Sequence, residues 1–461
     1  MNYPLEPNAT EMRALVDEAM RHIVAHIESL PTQPAMNVEG ATEYARTLIE
    51  PLPQRGESYE SLLEFLFTDA IPRSFTAAGP GYLAYVPGGG LFHSAVADLI
   101  ANAVNRYVGV CAAAPALVQL ETNVVRWFCE ILGMPKGSGG VLTSGASLAN
   151  FTAIVAARKT KLPDDFLRGT LYCSTQIHHS FQKAANLAGF PHANVRELPA
   201  DDDFRIRIDA LEAAIARDRE NGFTPFLIAG SAGTTNTGAV DDLDALARIA
   251  REQQLWFHVD GAYGALFMLT ERGRATLRGI EQADSVILDP HKTLFLPFGT
   301  GALVVRDART LRRAHSSHAD YLPDMQQEDE LVDFCEISPE LSRDFRGLRV
   351  WLPLKMFGIA PFREQLDEKL DLAAYVTDEL RNMGLEIVAA PHLTILAFRT
   401  SGGNERNRAL LDRINAKKRV MLTPAVLGGS FVIRIAIVSH RTHRDRVDMM
   451  LDDIRASLAE L

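Results

Sequence analysis

The chain has 461 residues, 47% apolar and 23% charged, a balance that excludes a disordered, collagen-like or coiled-coil protein. Lys and Arg number 47 against 58 Asp and Glu; the net charge of −11 repels nucleic acid and anionic membrane, and no local basic patch opposes it. The longest apolar runs, such as residues 224–232, fall far short of the roughly 20 residues that cross a bilayer.

Residues 1–6 lack the basic start and apolar stretch of a secretion signal. Cys111, Cys129, Cys173 and Cys335 are scattered with no Cys-x-x-Cys pair, which reads as reduced buried thiols of a cytoplasmic protein. In chain order, Met12, Leu15, Val16, Ala19, Ile23, Val24, Ile27 and Leu30 recur at i, i+3, i+4 spacing. This predicts a helix whose apolar stripe packs on the rest of the chain or on a partner subunit. Pro51, Pro53, Pro72, Pro80 and Pro87 then punctuate an irregular stretch ending at Gly88-Gly89-Gly90.

The middle of the chain alternates. Short strands are predicted over 141–142, 170–173, 226–229, 255–260, 285–288 and 301–305, with helices over 147–158 and 242–254. The strands are apolar without alternation, which fits a sheet covered on both faces, and their separation by helices means crossovers and a mostly parallel sheet. Ligands of such sheets sit beyond the C-terminal strand ends. Residues 143–147, 233–235, 260–262 and 289–292 are polar sets at four such ends. After Gly347 the pattern becomes a smaller α+β unit, with helices over 351–357, 364–383 and 443–458 and strands over 385–388, 394–398 and 431–437.

Each polar set has a plain reading and a chemical one. Lys292 follows an apolar strand and precedes Leu294-Phe295-Leu296; burial makes an amine nucleophilic, although a single such lysine is commonly just solvated. Asp260 ends the strand His258-Val259-Asp260 and needs a cation or several donors, or else caps the next turn. One βαβ unit separates the two, so neighbouring strand ends place an acid and an amine at one crevice. Thr143-Ser144-Gly145-Ala146-Ser147 opens a helix whose free amides suit a phosphate, or is an ordinary serine cap. His178 lies past another strand, placed to stack on a flat ring or act as an acid; no carboxylate–histidine set has metal-ligand spacing. An anion seat, an aldehyde-trapping amine, an acid for a ring nitrogen and a stacking imidazole are jointly satisfied by pyridoxal 5'-phosphate (PLP).

On these motifs the sequence resembles the group II PLP-dependent amino-acid decarboxylases, the family of aromatic-L-amino-acid, histidine and glutamate decarboxylases. The resemblance spans nearly the whole chain. It rests on Pro80-Gly81-Tyr82-Leu83-Ala84-Tyr85, Gln119-Leu120-Glu121-Thr122, Gly145-Ala146-Ser147, His178, Gly233-Thr234-Thr235, His258-Val259-Asp260-Gly261-Ala262-Tyr263, Asp289-Pro290-His291-Lys292, Arg343-Asp344-Phe345-Arg346-Gly347-Leu348 and Phe431-Val432-Ile433-Arg434-Ile435-Ala436. It implies an α/β fold of PLP fold type I, aspartate-aminotransferase-like. A large domain would carry a mostly parallel seven-stranded sheet, beside a small C-terminal α+β domain. The corresponding division is an N-terminal helical dimerisation segment 1–79, a PLP-binding domain 80–346 and a small domain 347–461. The resemblance assigns the Schiff-base lysine to Lys292, the pyridine-nitrogen partner to Asp260, ring stacking to His178 and Ala262, and phosphate contacts to Ala146, Ser147 and His291. Thr235 would lie on the Asp260 side of the ring. The family usually has Asn where Asp289 stands and Trp where Thr293 stands; a carboxylate near a phosphate is unfavourable, so Asp289 is expected to bond backbone donors or face away.

The implied reaction releases carbon dioxide and an amine, with Tyr321 in His318-Ala319-Asp320-Tyr321-Leu322-Pro323 returning a proton to Cα and the acid-rich stretch 323–333 acting as a closing loop. Relatives with Phe at this position form an aldehyde with oxygen, so Tyr321 argues for the amine. Tyr85, Val86, Pro87 and Gly88 match the side-chain pocket of relatives, Tyr107 a residue given by the second subunit, and Arg343 a further substrate-side position. The Pro80–Gly90 stretch, 80–90, has no cationic cluster for an acidic substrate, and the two tyrosines suit an aromatic one or are wall packing. A homodimer with sites at the interface follows from the resemblance. The competing readings are oxidative deamination to an aldehyde, decarboxylation of a non-aromatic amino acid, and a non-catalytic α/β binding protein.

Overall fold

The computed structural model describes residues 5–316 and 331–461. Seven strands form the central sheet: β1 (Gly139–Thr143), β2 (Gly169–Ser174), β3 (Val195–Leu198), β4 (Thr224–Ser231), β5 (Trp256–Asp260), β6 (Ser285–Leu288) and β7 (Gly301–Val305). Their order is β1-β7-β6-β5-β4-β2-β3. Strands β2 to β6 pair in parallel, whereas β7 runs antiparallel to both β1 and β6. The sheet is thus mostly parallel, as expected; β7 reverses because no long crossover helix separates it from β6, only the turn that carries Lys292. Every residue of β2, β5, β6 and β7 is buried, which is why these segments read as continuous apolar runs. Strand β3 was hidden because Arg196 and Glu197 interrupt its apolar pattern at the sheet edge.

A second sheet of four antiparallel strands lies near the C-terminus: β8 (Glu386–Ala389), β9 (Ile395–Arg399), β10 (Thr423–Leu427) and β11 (Ser430–Ala436), in the order β10-β11-β9-β8. The helices Ala360–Asn382, Gly403–Ala416 and Arg444–Ala459 pack on it through Val376, Leu410, Ile414, Met450 and Ile454. The segment around Leu83 joins this sheet, its amide donating to Met421 O at 3.1 Å and its carbonyl accepting from Ala436 N at 2.9 Å.

The first helix, Ala9–Ser29, starts with a capping box: the Asn8 side chain accepts from Thr10 and Glu11 amides while Glu11 accepts from Asn8 N. None of its residues is buried, and Met12, Leu15, Val16 and Val24 are each at least 40% exposed. No helix of the described residues is long and apolar enough to cross a membrane.

A buried ion pair fastens the long helix Pro115–Ile131 to the turn leading into helix Gly347–Phe357. Glu121 Oε1 lies 2.5 Å from Arg343 Nη2, with both side chains fully enclosed, and Glu121 Oε2 accepts from Gly347 N at 3.0 Å. Arg343 Nη2 also donates to Leu142 O at 3.2 Å, and the guanidinium lies over the Phe334 ring. Removing the carboxylate strands a buried cation. Glu121→Ala is therefore expected to lower unfolding free energy by about 3–5 kcal/mol, read from the denaturant midpoint; an unchanged midpoint would refute the role of the pair.

Candidate active site

The strand ends build the site. β5 and β6 are parallel neighbours with Asp260 opposite Ile287, so the turn after β6 brings Lys292 beside the end of β5. That turn continues into the short helix Pro290–Thr293, with Pro290 at its first position. Gly88 seals it from above: a Cβ there would stand 2.0 Å from His291 O, so the chain passes flat against the lysine-bearing turn only as glycine.

One cavity of about 320 Å³ collects Ala146, Ser147, His178, Thr235, Asp260, Ala262, His291 and Lys292, all eight residues expected around a cofactor. Val86, Ser144 and Asp289, which sequence reasoning had placed near the site, also line it, as do Ser180, Ser231, Thr234 and Tyr263, which it gave no role because hydroxyl residues in loops carry no distinctive spacing.

At one end, helix Ala146–Lys161 points its first turn into the cavity. Among the described residues no acceptor engages the amides of Ala146 and Ser147, so they and the helix dipole face an anion seat. His291 stands beside it; its Nδ1 lies 2.7 Å from Thr300 O, and since a carbonyl only accepts, Nδ1 carries the proton. At the other end Asp260 is buried, with Oδ1 accepting from Ala262 N at 3.2 Å and no other protein donor among the described residues. That leaves a carboxylate oxygen for a cationic or N–H group of an occupant.

Lys292 Nζ lies 3.1 Å from Asp289 Oδ2, and His291 Nε2 lies 3.7 Å from the same oxygen. Asp289 Oδ1 is buried with no hydrogen-bond partner. The expectation that Asp289 turns away or bonds backbone donors is corrected: its carboxylate faces the lysine, because in the parallel sheet the residue just past β6 shares the crevice with the turn that follows. Thr293 is fully buried and its hydroxyl also lacks a partner. His178 is half-buried against His179, and burial holds its imidazole below the ordinary value despite the opposing pull of Asp260.

The walls are braced from the C-terminal sheet. Arg434, on β11, donates through Nε to Thr235 O and through Nη2 to Tyr85 O, each at 2.6 Å. Burial pulls this guanidinium down to about 10. Tyr263 Oη sits 2.7 Å from Thr394 Oγ1 and accepts from Thr394 N, tying the turn after β5 to the same sheet.

The expected substrate residues are spread more widely. Tyr85, at φ 52°, is 54% exposed and stacks on Tyr82 outside the cavity lining; its neighbour Val86 faces inward. Pro87 and Gly88 are buried under the rim. Tyr107 is 38% exposed, its hydroxyl donating to Leu341 O, and it does not line the cavity. Arg343 does not reach the cavity either, being enclosed in the ion pair with Glu121. Tyr321 lies outside the described residues, as does most of 323–333. Among the described residues no cluster of His, Cys, Asp or Glu could hold a metal ion.

An anion seat, an amine, a carboxylate and an imidazole around one cavity match the parts of PLP: phosphate, aldehyde, pyridine nitrogen and ring face. Residues 43–401 match the pyridoxal-dependent decarboxylase conserved domain. The chain is 34% identical to an aromatic-L-amino-acid decarboxylase of Bacillus atrophaeus, across 100% of this chain and 98% of that one. Its fold superposes with a TM-score of 0.93 on Oryza sativa TDC solved with PLP and tryptamine, at 27% identity, covering 100% of this chain and 99% of the other. It also superposes with a TM-score of 0.91 on Rhodiola rosea 4-hydroxyphenylacetaldehyde synthase, at 25% identity and 98% and 99% coverage. With a domain match over most of its length and a 34% identical relative matched across nearly all of both chains, the chain belongs to the pyridoxal-dependent decarboxylase family.

Proposed function

We propose that this PLP-dependent amino-acid decarboxylase acts on an aromatic L-amino acid and releases the corresponding amine. The observation that carries the site assignment is the convergence of Lys292, Asp260, His178 and the free amides of Ala146 and Ser147 on one cavity. The aromatic preference is supported by the aromatic-amino-acid relative and by the rice structure solved with tryptamine.

In this reading Lys292 holds the cofactor's aldehyde carbon, and Ala146, Ser147 and His291 hold its phosphate. His178 and Ala262 cover the two ring faces, and Thr235 lines the edge near Asp260. PLP supplies the electron sink for the pair left when the carboxylate departs. Asp260, as a carboxylate, keeps the ring nitrogen protonated and so deepens that sink. Asp289 gives the Lys292 ammonium a counter-charge at 3.1 Å whenever the amine is free. Tyr321 returns the proton to Cα. Val86, next to Tyr85, Pro87 and Gly88, forms the nearest rim for the substrate side chain.

The active unit in this reading is a homodimer in the cytoplasm. The unburied helix Ala9–Ser29 supports an assembly, as do Leu99, Ile100 and Val104, each at least 44% exposed, on helix Phe92–Val104. Tyr107 then serves the partner's site. Four free cysteines, three of them buried, suit a reducing compartment. The aldehyde-forming reading is favoured by the Rhodiola likeness alone.

A panel of L-amino acids with carbon dioxide release and oxygen uptake followed together tests the reaction. Carbon dioxide without matched oxygen uptake is expected, fastest with an aromatic substrate; stoichiometric oxygen use would move the assignment to the aldehyde. Asp260→Asn is expected to lower kcat by about 10²–10³-fold, the scale of one lost preorganised charge, with cofactor still bound by its absorbance. Lys292→Ala should abolish turnover and the borohydride-trapped cofactor adduct; a surviving adduct would place the anchoring amine elsewhere.

A further inference from the structure

Behind His178 a file of polar side chains runs into the core. His178 Nδ1 is 2.8 Å from Ser180 Oγ and accepts from Ser180 N at 3.3 Å. Asn150 Nδ2 donates to Ser180 Oγ at 3.2 Å, and Asn150 Oδ1 lies 2.9 Å from His258 Nε2. His258 Nδ1 lies 2.8 Å from Ser285 Oγ, which accepts from Trp256 Nε1 at 2.8 Å. Asn150, His258 and Ser285 are each completely buried.

The direction of every bond in this file follows from its inner end. Indole nitrogen only donates, so Trp256 gives its proton to Ser285. Ser285 must place its own proton, and His258 Nδ1 is its only other partner among the described residues. Burial pushes the His258 imidazole down to about 4, so the ring is neutral and holds one proton. With Nδ1 accepting, that proton sits on Nε2 and goes to the amide oxygen of Asn150. The amide nitrogen therefore faces Ser180, as found. Ser180, having accepted from Asn150, donates to His178 Nδ1, which its own backbone amide also approaches. Two donors on Nδ1 leave the single proton of a neutral His178 on Nε2, which has no partner among the described residues on a ring that lines the cavity.

We infer that Asn150 is a positioning residue that, through Ser180, fixes the His178 proton on Nε2, so that the imidazole offers the cavity a donor and never an acceptor. This rests on the proposed place of His178 over the cofactor. An asparagine suits the task because its two ends cannot exchange roles without breaking both bonds. A carboxylate at 150 would accept from both sides, draw the Ser180 proton away from His178 and allow Nδ1 to be protonated.

The test is solid-state NMR of holoenzyme carrying 15N-histidine, with His178→Gln and His258→Gln spectra assigning the two rings. Wild type is expected to show both His178 and His258 protonated at Nε2 and bare at Nδ1. In Asn150→Asp the His178 signal is expected to gain a proton at Nδ1, and kcat to fall by about tenfold or more, one hydrogen bond's worth, while the PLP dissociation constant changes by less than about threefold. A wild-type His178 protonated at Nδ1 would overturn the inference whether or not any variant folds, as would an unchanged His178 signal in folded Asn150→Asp. The expected tautomer in an enzyme inactive on every amino acid would leave the inference standing and sink the proposed reaction instead.

Discussion

The cavity depends on the register between two neighbouring parallel strands. Strand β5 meets β6 with His258 against Ser285 and Asp260 against Ile287. A slip of one residue would send Asp260 to the opposite face and His258 out of reach of Asn150. With this register, one side of β5 carries both the carboxylate that faces the cavity and the imidazole of the polar file, while the other packs into the apolar core through Phe257 and Val259. The continuous burial of β2, β5, β6 and β7 holds the register.

Much of this was legible in the sequence for a physical reason. A two-sided buried strand announces itself as an unbroken apolar run, and a ligand site at its end announces itself as a break in polarity. Residues 285–288 were placed to the residue, and all eight expected cofactor residues share one cavity. What stayed hidden was tertiary. Arg196 and Glu197 masked β3, and the exposed pattern of β10, with Pro424 and Val426 outward, masked that edge strand. Arg343 carried the motif of a functional arginine yet is enclosed with Glu121, a pairing across more than two hundred residues that no local pattern encodes. His258 stood in a quoted motif and Asn150 within the predicted helix 147–158, neither with a role, because their chemistry exists only once the helix Ala146–Lys161 lies on β5 and β6.

The site is also less self-contained than its motifs suggest. Asp289 places a negative charge beside the lysine and the anion seat, where an amide would be neutral. Its Oδ1 and the Thr293 hydroxyl, both buried, are left without a partner on the lysine turn. Polar atoms left in this condition cluster where structure serves chemistry rather than stability.

Arg434 gives the architecture a temporal side. It is the brace between the carbonyls of Tyr85 and Thr235, and it lies on β11, which follows every strand of the large sheet in the chain. A nascent polypeptide can lay down the large sheet as synthesis proceeds, N-terminal part first. The cleft walls nevertheless stay unclamped until β11 has been made, so a closed cleft has to wait for the smaller sheet.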